Sequence, residues 1–181
     1  ERPLLKQLHQ LNAIGVNHVE ISWSSHPGWI GLIKEIQACF TTFYLGAASI
    51  TNLEALECVC KLDFKYVMSP FWDVNLLLKA EELNQVLIPG VFSPTEIHFA
   101  LNHRCKLIKI FPAATLGIKY LSKIKTPINF QSFVIAAGGL NVSDLTPWLS
   151  AGYDSIVLGR DLIKNGNIDP ALNSWMKTHK N

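Results

Sequence analysis

The chain has 181 residues, of which 49% are apolar and 17% are charged, so it can bury a substantial core and is expected to form one domain over residues 1–181. Its formal net charge of +2 is too small to indicate a nucleic-acid partner and leaves a small anion as the expected charged ligand. No apolar run approaches the length of a membrane span, and the amino terminus lacks the pattern of a signal peptide, which favours a cytoplasmic location with no membrane partner.

Short β-type runs alternate with amphipathic helical stretches, which is the pattern of βα repeats around a parallel sheet. The predicted strands are His18 to Ser22, Phe43 to Ala47, Tyr66 to Met68, Val86 to Pro89, Leu107 to Phe111, Phe133 to Ala137 and Ser155 to Leu158. The predicted helices are Pro3 to Ala13, Trp29 to Ala38, Leu53 to Cys60, Val74 to Glu82, Pro94 to Asn102, Leu116 to Ile124, Val142 to Leu149, Arg160 to Lys164 and Pro170 to Lys177. Helix-capping side chains are predicted at Thr51, Asp73, Ser93 and Ser143.

The spacing of these strands fits either a doubly wound open sheet or a (β/α)8 barrel, the TIM barrel. The sequence begins in a helical pattern and ends in helices that follow its last strand, which favours the barrel with strands 2 to 8 present. An open gap would expose unpaired backbone on the two flanking strands, so we expect the first strand upstream of these residues. The alternative is that a partner chain fills the gap.

Two charged residues lie on predicted strands where the neighbouring residues are apolar. Burial disfavours the charged form of an amine, and a neutral amine condenses with a ketone to form a Schiff base, so Lys109 is a candidate nucleophile. The alternative is a strand lysine whose long side chain reaches solvent. Glu20 lies between two apolar residues that would face the helices, which predicts that its own side chain faces the barrel interior. It is a candidate general acid or base, or the ionic partner of a buried lysine.

Glycines follow the last two predicted strands. Gly138 and Gly139 follow one strand, and Gly159 and Arg160 follow the next. Barrels commonly bind phosphate after these two strands, because glycine lets backbone amides approach an anion and a helix beginning at Gly159 would direct its positive end there. Arg160 either adds a charged contact to the anion or forms a surface ion pair. The sequence therefore predicts a phosphate site.

With these motifs in order, the sequence resembles the 2-keto-3-deoxy-6-phosphogluconate (KDPG) and 4-hydroxy-2-oxoglutarate (KHG) aldolases over nearly its whole length. The motifs that carry the resemblance are Gly15-Val-Asn-His-Val-Glu20, Gly46-Ala-Ala-Ser-Ile50, Val67-Met-Ser-Pro70, Leu87-Ile-Pro-Gly-Val91, Pro94-Thr-Glu96, Ile108-Lys-Ile-Phe-Pro-Ala113, Ala137-Gly-Gly139 and Val157-Leu-Gly159. The resemblance implies a class I aldolase on a (β/α)8 barrel that is metal-free, needs no cofactor and is usually a homotrimer. Exposed aromatic residues such as Trp72 and Trp148 are candidates for the trimer contact.

The resemblance also implies roles for individual residues. Lys109 would form the Schiff base with pyruvate or the 2-keto acid, and Glu20 would move protons through a water. The aldehyde product would be glyceraldehyde 3-phosphate or glyoxylate, with the phosphate held by the glycines. The residues implied to bind substrate are Ser49, Ser69, Pro89, Phe111, Gly138, Gly139, Gly159 and Arg160.

Several positions depart from the family pattern. Ser24 stands where the family commonly has an arginine that clamps the substrate carboxylate, so the bidentate partner is lost. Ser49 keeps the hydroxyl of a family threonine, Ala48 replaces a glycine, and Ala137 loses a threonine hydroxyl. Arg160 replaces part of a Gly-Gly-Ser element. These changes leave two alternatives to the aldolase, a non-catalytic barrel that binds a phosphorylated metabolite and another phosphate-binding barrel enzyme, such as an epimerase or a thiamine-phosphate-synthase-like enzyme.

Overall fold

A computed structural model describes residues 3–128 and 130–179 as an alternation of helices and strands. The helices are α1 (Pro3–Ile14), α2 (Trp29–Cys39), α3 (Leu53–Cys60), α4 (Val74–Glu82), α5 (Pro94–Asn102), α6 (Ala113–Leu116), α7 (Tyr120–Ile128), α8 (Leu145–Ser150) and α9 (Pro170–Thr178). The strands are β1 (His18–Ser22), β2 (Tyr44–Ala48), β3 (Tyr66–Met68), β4 (Leu87–Ile88), β5 (Gly90–Val91), β6 (Leu107–Ile110), β7 (Phe133–Ala137), β8 (Ser155–Val157), β9 (Ile163–Lys164) and β10 (Asn167–Ile168). Two short 3-10 helices are Val142–Asp144 and Arg160–Leu162.

The chain divides into two compact units. The first comprises Glu1–Leu87 with Gly166–Ile168, and the second comprises Ile88–Asn165 with Asp169–Asn181. One four-stranded sheet has the order β1-β2-β3-β4, and its strands β1, β2 and β3 run parallel. The other has the order β5-β6-β7-β8, and all of its strands run parallel. Strands that pair in parallel need a crossover connection, and helices supply most of these crossovers.

In the first unit, the alternation of side chains along β1 sets which residues are buried. Val19 and Ile21 are buried, whereas His18 and Ser22 are exposed and Glu20 is half-buried. This period of two is the one expected for a strand with two different faces. Glu20 therefore lies on the face opposite the buried residues, as the sequence predicts.

In the second unit, β6 lies between β5 and β7. Lys109 on β6 is level with Gly90 of β5 and with Ile135 of β7. Helix α5 starts with a capping box in which the Ser93 hydroxyl accepts from the Glu96 backbone N–H and the Glu96 carboxylate accepts from the Ser93 N–H. This local motif explains why the start of α5 is predictable from sequence.

Some predicted details are wrong. Asn52, rather than Thr51, caps α3, and Asn141, rather than Ser143, caps the 3-10 helix that precedes α8. Each true cap occupies the position just before the first helical residue, where its side chain reaches the free backbone N–H groups. Trp148 is only 5% exposed and packs against Tyr153, so it is not a surface residue of the described chain.

The predicted helices near the carboxyl end also differ in extent from the structure. The stretch Leu116 to Ile124 is two helices, α6 and α7, because Gly117 adopts a φ of 80° that ends α6. The stretch Arg160 to Lys164 is a 3-10 helix followed by β9. The strand predicted as Val86 to Pro89 is confined to β4, and Pro89 separates it from β5.

Candidate active site

Lys109 is a buried amine on a central strand of the second unit. The residue is 6% exposed, and its backbone N–H donates to the Pro89 carbonyl at 2.9 Å. The Lys109 Nζ lies 5.3 Å from the centroid of the Phe111 ring, within the range of a cation–π interaction. The prediction that Lys109 is buried is confirmed, and the Pro89 carbonyl fixes the backbone from which the amine projects.

The Phe111 ring occupies space that glycine leaves open at position 138. Gly138 has a φ of 95°, and a Cβ atom there would lie 2.9 Å from Phe111 Cε2 and 3.1 Å from Pro112 Cα. Both the backbone conformation and the contact therefore require glycine. Gly138 connects the glycine turn after β7 to the aromatic ring beside Lys109.

The next glycine is required for a similar reason. Gly139 has a φ of 76°, and a Cβ atom there would lie 2.9 Å from the Ala114 Cβ. The Gly138 carbonyl accepts a hydrogen bond from the Ala114 N–H at 3.1 Å, which ties the turn to the start of α6. The turn thus has a positive φ at two successive glycines, and its role in phosphate binding stays a prediction.

Gly159 and Arg160 are both exposed, and they lie where the 3-10 helix Arg160–Leu162 begins. No atom lies within 4 Å of the Cβ position at Gly159, so packing does not require glycine there. The helix predicted after β8 is only this single 3-10 turn, which weakens the contribution of a helix dipole to anion binding. The predicted phosphate contact would depend on backbone N–H groups and on the Arg160 guanidinium.

In the first unit, Glu20 lies in a row with two residues of the adjacent strands. The register places Glu20 of β1 level with Gly46 of β2, and Gly46 level with Tyr66 of β3. The Tyr66 hydroxyl donates a hydrogen bond to the Glu20 carboxylate. Burial is the main cause that raises the pKa of Tyr66, and the charge of Glu20 and this hydrogen bond raise it further.

Tyr66 is the residue that the sequence reasoning missed. A Cβ atom at Gly46 would lie 2.4 Å from the Cε2 and Cζ atoms of Tyr66, so the ring lies directly over the glycine. Glycine within a strand often marks such a close approach. Gly46 was therefore the sequence feature that could have indicated a close contact across β2. Which side chain makes that contact depends on the register of the strands.

The loop after β1 carries Ser24, at the position where the resemblance implies an arginine. The Ser24 hydroxyl accepts from the His26 N–H at 3.2 Å, and His26 Nδ1 accepts from the Gly28 N–H at 3.0 Å. Both side chains are exposed and bond to their own loop. A single hydroxyl cannot reproduce the two parallel hydrogen bonds of a guanidinium, so Ser24 does not replace the carboxylate clamp.

Two other predicted site residues are serines that follow β2 and β3. Ser49 is exposed, adopts a φ of 62°, and places its hydroxyl 3.5 Å from the Ser22 hydroxyl. Ser69 is 1% exposed, and its hydroxyl both donates to the Phe71 carbonyl at 2.8 Å and accepts from the Phe71 N–H at 3.3 Å. The Ser69 hydroxyl thus shapes the turn after β3, while its role toward a substrate stays a prediction.

Among residues 3–128 and 130–179, no group of three or more His, Cys, Asp or Glu side chains is arranged to hold a metal ion. Within the same part of the chain, no helix is long and apolar enough to cross a membrane.

Parallel strands that alternate with helices, together with the likeness to solved KDPG aldolases, which are (β/α)8 barrels, place the chain in the (β/α)8 barrel class. The fold resembles a native KDPGal structure with a TM-score of 0.79 at 24% identity, over 94% of this chain and 82% of that chain. It also resembles the KDPG aldolase from Legionella pneumophila with pyruvate captured as a covalent carbinolamine intermediate, with a TM-score of 0.80 at 22% identity over 96% of this chain and 82% of that one.

The sequence comparison identifies the family. The chain belongs to the KDPG and KHG aldolase family, whose model matches residues 2–177. A relative from Escherichia coli (strain K12), 2-dehydro-3-deoxy-6-phosphogalactonate aldolase, is 26% identical over 84% of this chain and 74% of its own length. The family assignment makes the chain a lyase that acts on a small molecule.

Proposed function

We propose that the chain is a class I aldolase that cleaves a 2-keto-3-deoxy-6-phospho sugar acid or 4-hydroxy-2-oxoglutarate, with Lys109 as the residue that forms the Schiff base. The observation that carries the proposal is the burial of Lys109, a residue that is 6% exposed and whose Nζ lies beside the Phe111 ring. An amine held away from bulk water is the kind of nucleophile that condenses with a ketone. The carbinolamine seen in the Legionella pneumophila aldolase supports this chemistry by family likeness.

The proposed reaction begins when Lys109 Nζ attacks the ketone carbon of the substrate. The carbinolamine loses water to give a protonated imine. The bond between C3 and C4 then breaks, its electrons move to the imine nitrogen to form an enamine, and the C4 hydroxyl proton is transferred to a base as the aldehyde leaves. Protonation of the enamine at C3 and hydrolysis of the imine release pyruvate and the free amine.

Glu20 is proposed as the group that exchanges these protons, through a water. Its carboxylate is half-buried on β1 and accepts a hydrogen bond from Tyr66, so its orientation is defined. General acid–base catalysis by a positioned carboxylate contributes about 10²- to 10⁴-fold to a rate. Glu20→Gln keeps the side-chain shape and removes the base, so it should lower turnover by roughly 10²-fold or more.

The remaining site residues divide by the part of the substrate that they would bind. Pro89, Phe111 and the Ser69 turn are proposed to line the pocket for the keto acid, with Ser49 contributing a hydroxyl. The groups proposed to hold the phosphate of the aldehyde are the backbone at Gly138, Gly139 and Gly159 and the Arg160 guanidinium. Arg160 is exposed and replaces a family serine, which supports a phosphorylated substrate over 4-hydroxy-2-oxoglutarate.

Borohydride trapping with pyruvate tests the proposal. The imine formed on Lys109 is reduced to a stable adduct that intact mass and peptide mapping locate. Lys109→Met removes the amine but fills the buried position with an unbranched apolar side chain of similar length, so it should abolish the adduct. Lys106→Met, at an exposed lysine beside the same strand, is the matched control and should leave the adduct intact. A folded wild-type protein that gives no adduct at Lys109 contradicts the Schiff-base proposal.

The second candidate function is a barrel that binds a phosphorylated metabolite without cleaving it. The observation that favours it is Ser24, whose hydroxyl bonds to its own loop where the family carries a carboxylate-binding arginine. This candidate predicts no pyruvate adduct. It also predicts that inorganic phosphate raises the midpoint of thermal unfolding and that Arg160→Ala removes the shift.

Family likeness also supports a homotrimer in the cytoplasm. A solved relative of this fold, 24% identical, is a cage designed by fusing symmetric oligomeric domains. Light scattering after size-exclusion chromatography measures the mass of the assembly, and a monomeric mass would contradict the trimer.

A further inference from the structure

Glu20, Gly46 and Tyr66 lie side by side on three neighbouring parallel strands. Glu20 pairs with Gly46, and Gly46 pairs with Tyr66, so the three residues share one level and one face of the sheet. Adjacent parallel strands lie about 4.8 Å apart, so two strand spacings separate the backbones of Glu20 and Tyr66. A side chain on β3 reaches β1 only if the residue between them leaves the path open.

Gly46 leaves that path open. A Cβ atom at this position would lie 2.4 Å from Tyr66 Cε2 and Cζ and 2.8 Å from the hydroxyl oxygen. All three atoms belong to the distal half of the ring, so the end of the Tyr66 side chain lies over the Gly46 backbone. The ring thus crosses β2 and delivers its hydroxyl to the Glu20 carboxylate.

A second contact limits the movement of the Tyr66 ring. The His18 ring lies 6.3 Å from it, and His18 itself stacks on Tyr44 at 5.1 Å with the ring planes 15° apart. His18 and Tyr44 form the preceding level of the same face, one strand period before Glu20 and Gly46. The Tyr66 ring therefore lies over the Gly46 backbone and beside the His18 ring.

We propose that Tyr66 is a positioning residue for Glu20: its phenol crosses β2 over Gly46 and holds the carboxylate in the orientation needed for proton transfer. This inference rests on the proposed acid–base role of Glu20. A phenol that donates to a carboxylate oxygen restricts rotation of the carboxyl group and so holds it in one orientation. Burial and the nearby charge of Glu20 raise the pKa of Tyr66, which keeps the phenol protonated and makes it a donor rather than a base.

The test separates Schiff-base formation from proton transfer. In deuterated water, NMR follows exchange of the pyruvate methyl protons, which requires a base to remove a C3 proton from the imine. Borohydride trapping at saturating pyruvate reports the imine itself. Tyr66→Phe removes the hydroxyl and keeps the ring over Gly46, so packing is preserved. We expect the adduct yield and the KM for pyruvate to stay within about twofold, while the exchange rate falls roughly 10-fold or more.

The control for a merely structural effect is the Glu20→Gln background. If Tyr66 acts through the Glu20 carboxylate, Tyr66→Phe should change the residual exchange rate by less than about twofold once that carboxylate is gone. A wild-type exchange rate in Tyr66→Phe, or an equal fall in both backgrounds, overturns the inference. Failure of the proposed function is distinct, because the wild-type protein itself would then give no adduct.

Discussion

The effect of Gly46→Ala on the free energy of unfolding should depend on the residue at position 66. The new Cβ atom would lie 2.4 Å from two ring atoms of Tyr66, far inside ordinary contact distance, so the ring or β2 must shift. Overpacking of this kind costs about 1–3 kcal/mol of unfolding free energy. We therefore expect Gly46→Ala to be destabilising in the wild-type chain and to break the hydrogen bond between Tyr66 and Glu20.

In a Tyr66→Leu background the same change should stabilise the protein. Leucine lacks the distal ring atoms that the Cβ atom would meet, and alanine reduces the conformational entropy of the unfolded chain relative to glycine. That effect is worth about 0.4–1 kcal/mol where the backbone is compatible, as it is within β2. The unfolded-chain effect is the same in both backgrounds and cancels, so the coupling free energy between positions 46 and 66 equals the overpacking cost of about 1–3 kcal/mol.

Urea unfolding of the wild type, both single variants and the double variant measures this coupling free energy. Gly31→Ala is the matched control, because no atom lies within 4 Å of the Cβ position at this helical glycine. Alanine there should stabilise α2 by about 1 kcal/mol in either background. Effects at positions 46 and 66 that add within about 0.5 kcal/mol would refute the close approach of Tyr66 to Gly46.

Two further predictions concern Tyr66 and the glycine turn. The pKa of Tyr66 is raised above its ordinary value of 10.0, so the phenol is protonated in both the folded and the unfolded chain below that pH. Above it the unfolded chain loses the proton first, and the unfolding free energy of the wild type relative to Tyr66→Phe should fall by up to about 1.4 kcal/mol per pH unit. Urea unfolding of both proteins from pH 8 to pH 11 checks this, and a constant difference would contradict it. Gly138→Ala combines a positive φ with contacts of 2.9 Å to Phe111 and 3.1 Å to Pro112, whereas Gly159→Ala meets no atom within 4 Å. Gly138→Ala should lower the free energy of unfolding by at least about 1 kcal/mol more than Gly159→Ala does. Equal losses would show that the contacts at Gly138 do not contribute to stability.

The local features of this chain were predictable from its sequence. The bounds of β1, β3, β7, α3, α4 and α5 agree with the predicted stretches. Period-two alternation and residues such as Asp73 and Ser93 act over a few neighbouring positions, so the information lies in the segment itself. The same reasoning placed Lys109 in a buried strand and Glu20 on the face opposite Val19 and Ile21, as the structure has them.

Only the tertiary structure decided which side chains meet. Tyr66 reads locally as the first residue of an apolar strand, and its hydrogen bond to Glu20 depends on the register of three strands that are distant in sequence. The sequence predicts that Trp148 is exposed, yet it is buried against Tyr153 because α8 packs on the loop before β8. Strand register and helix packing are set by contacts between distant segments, and no pattern within one segment contains them.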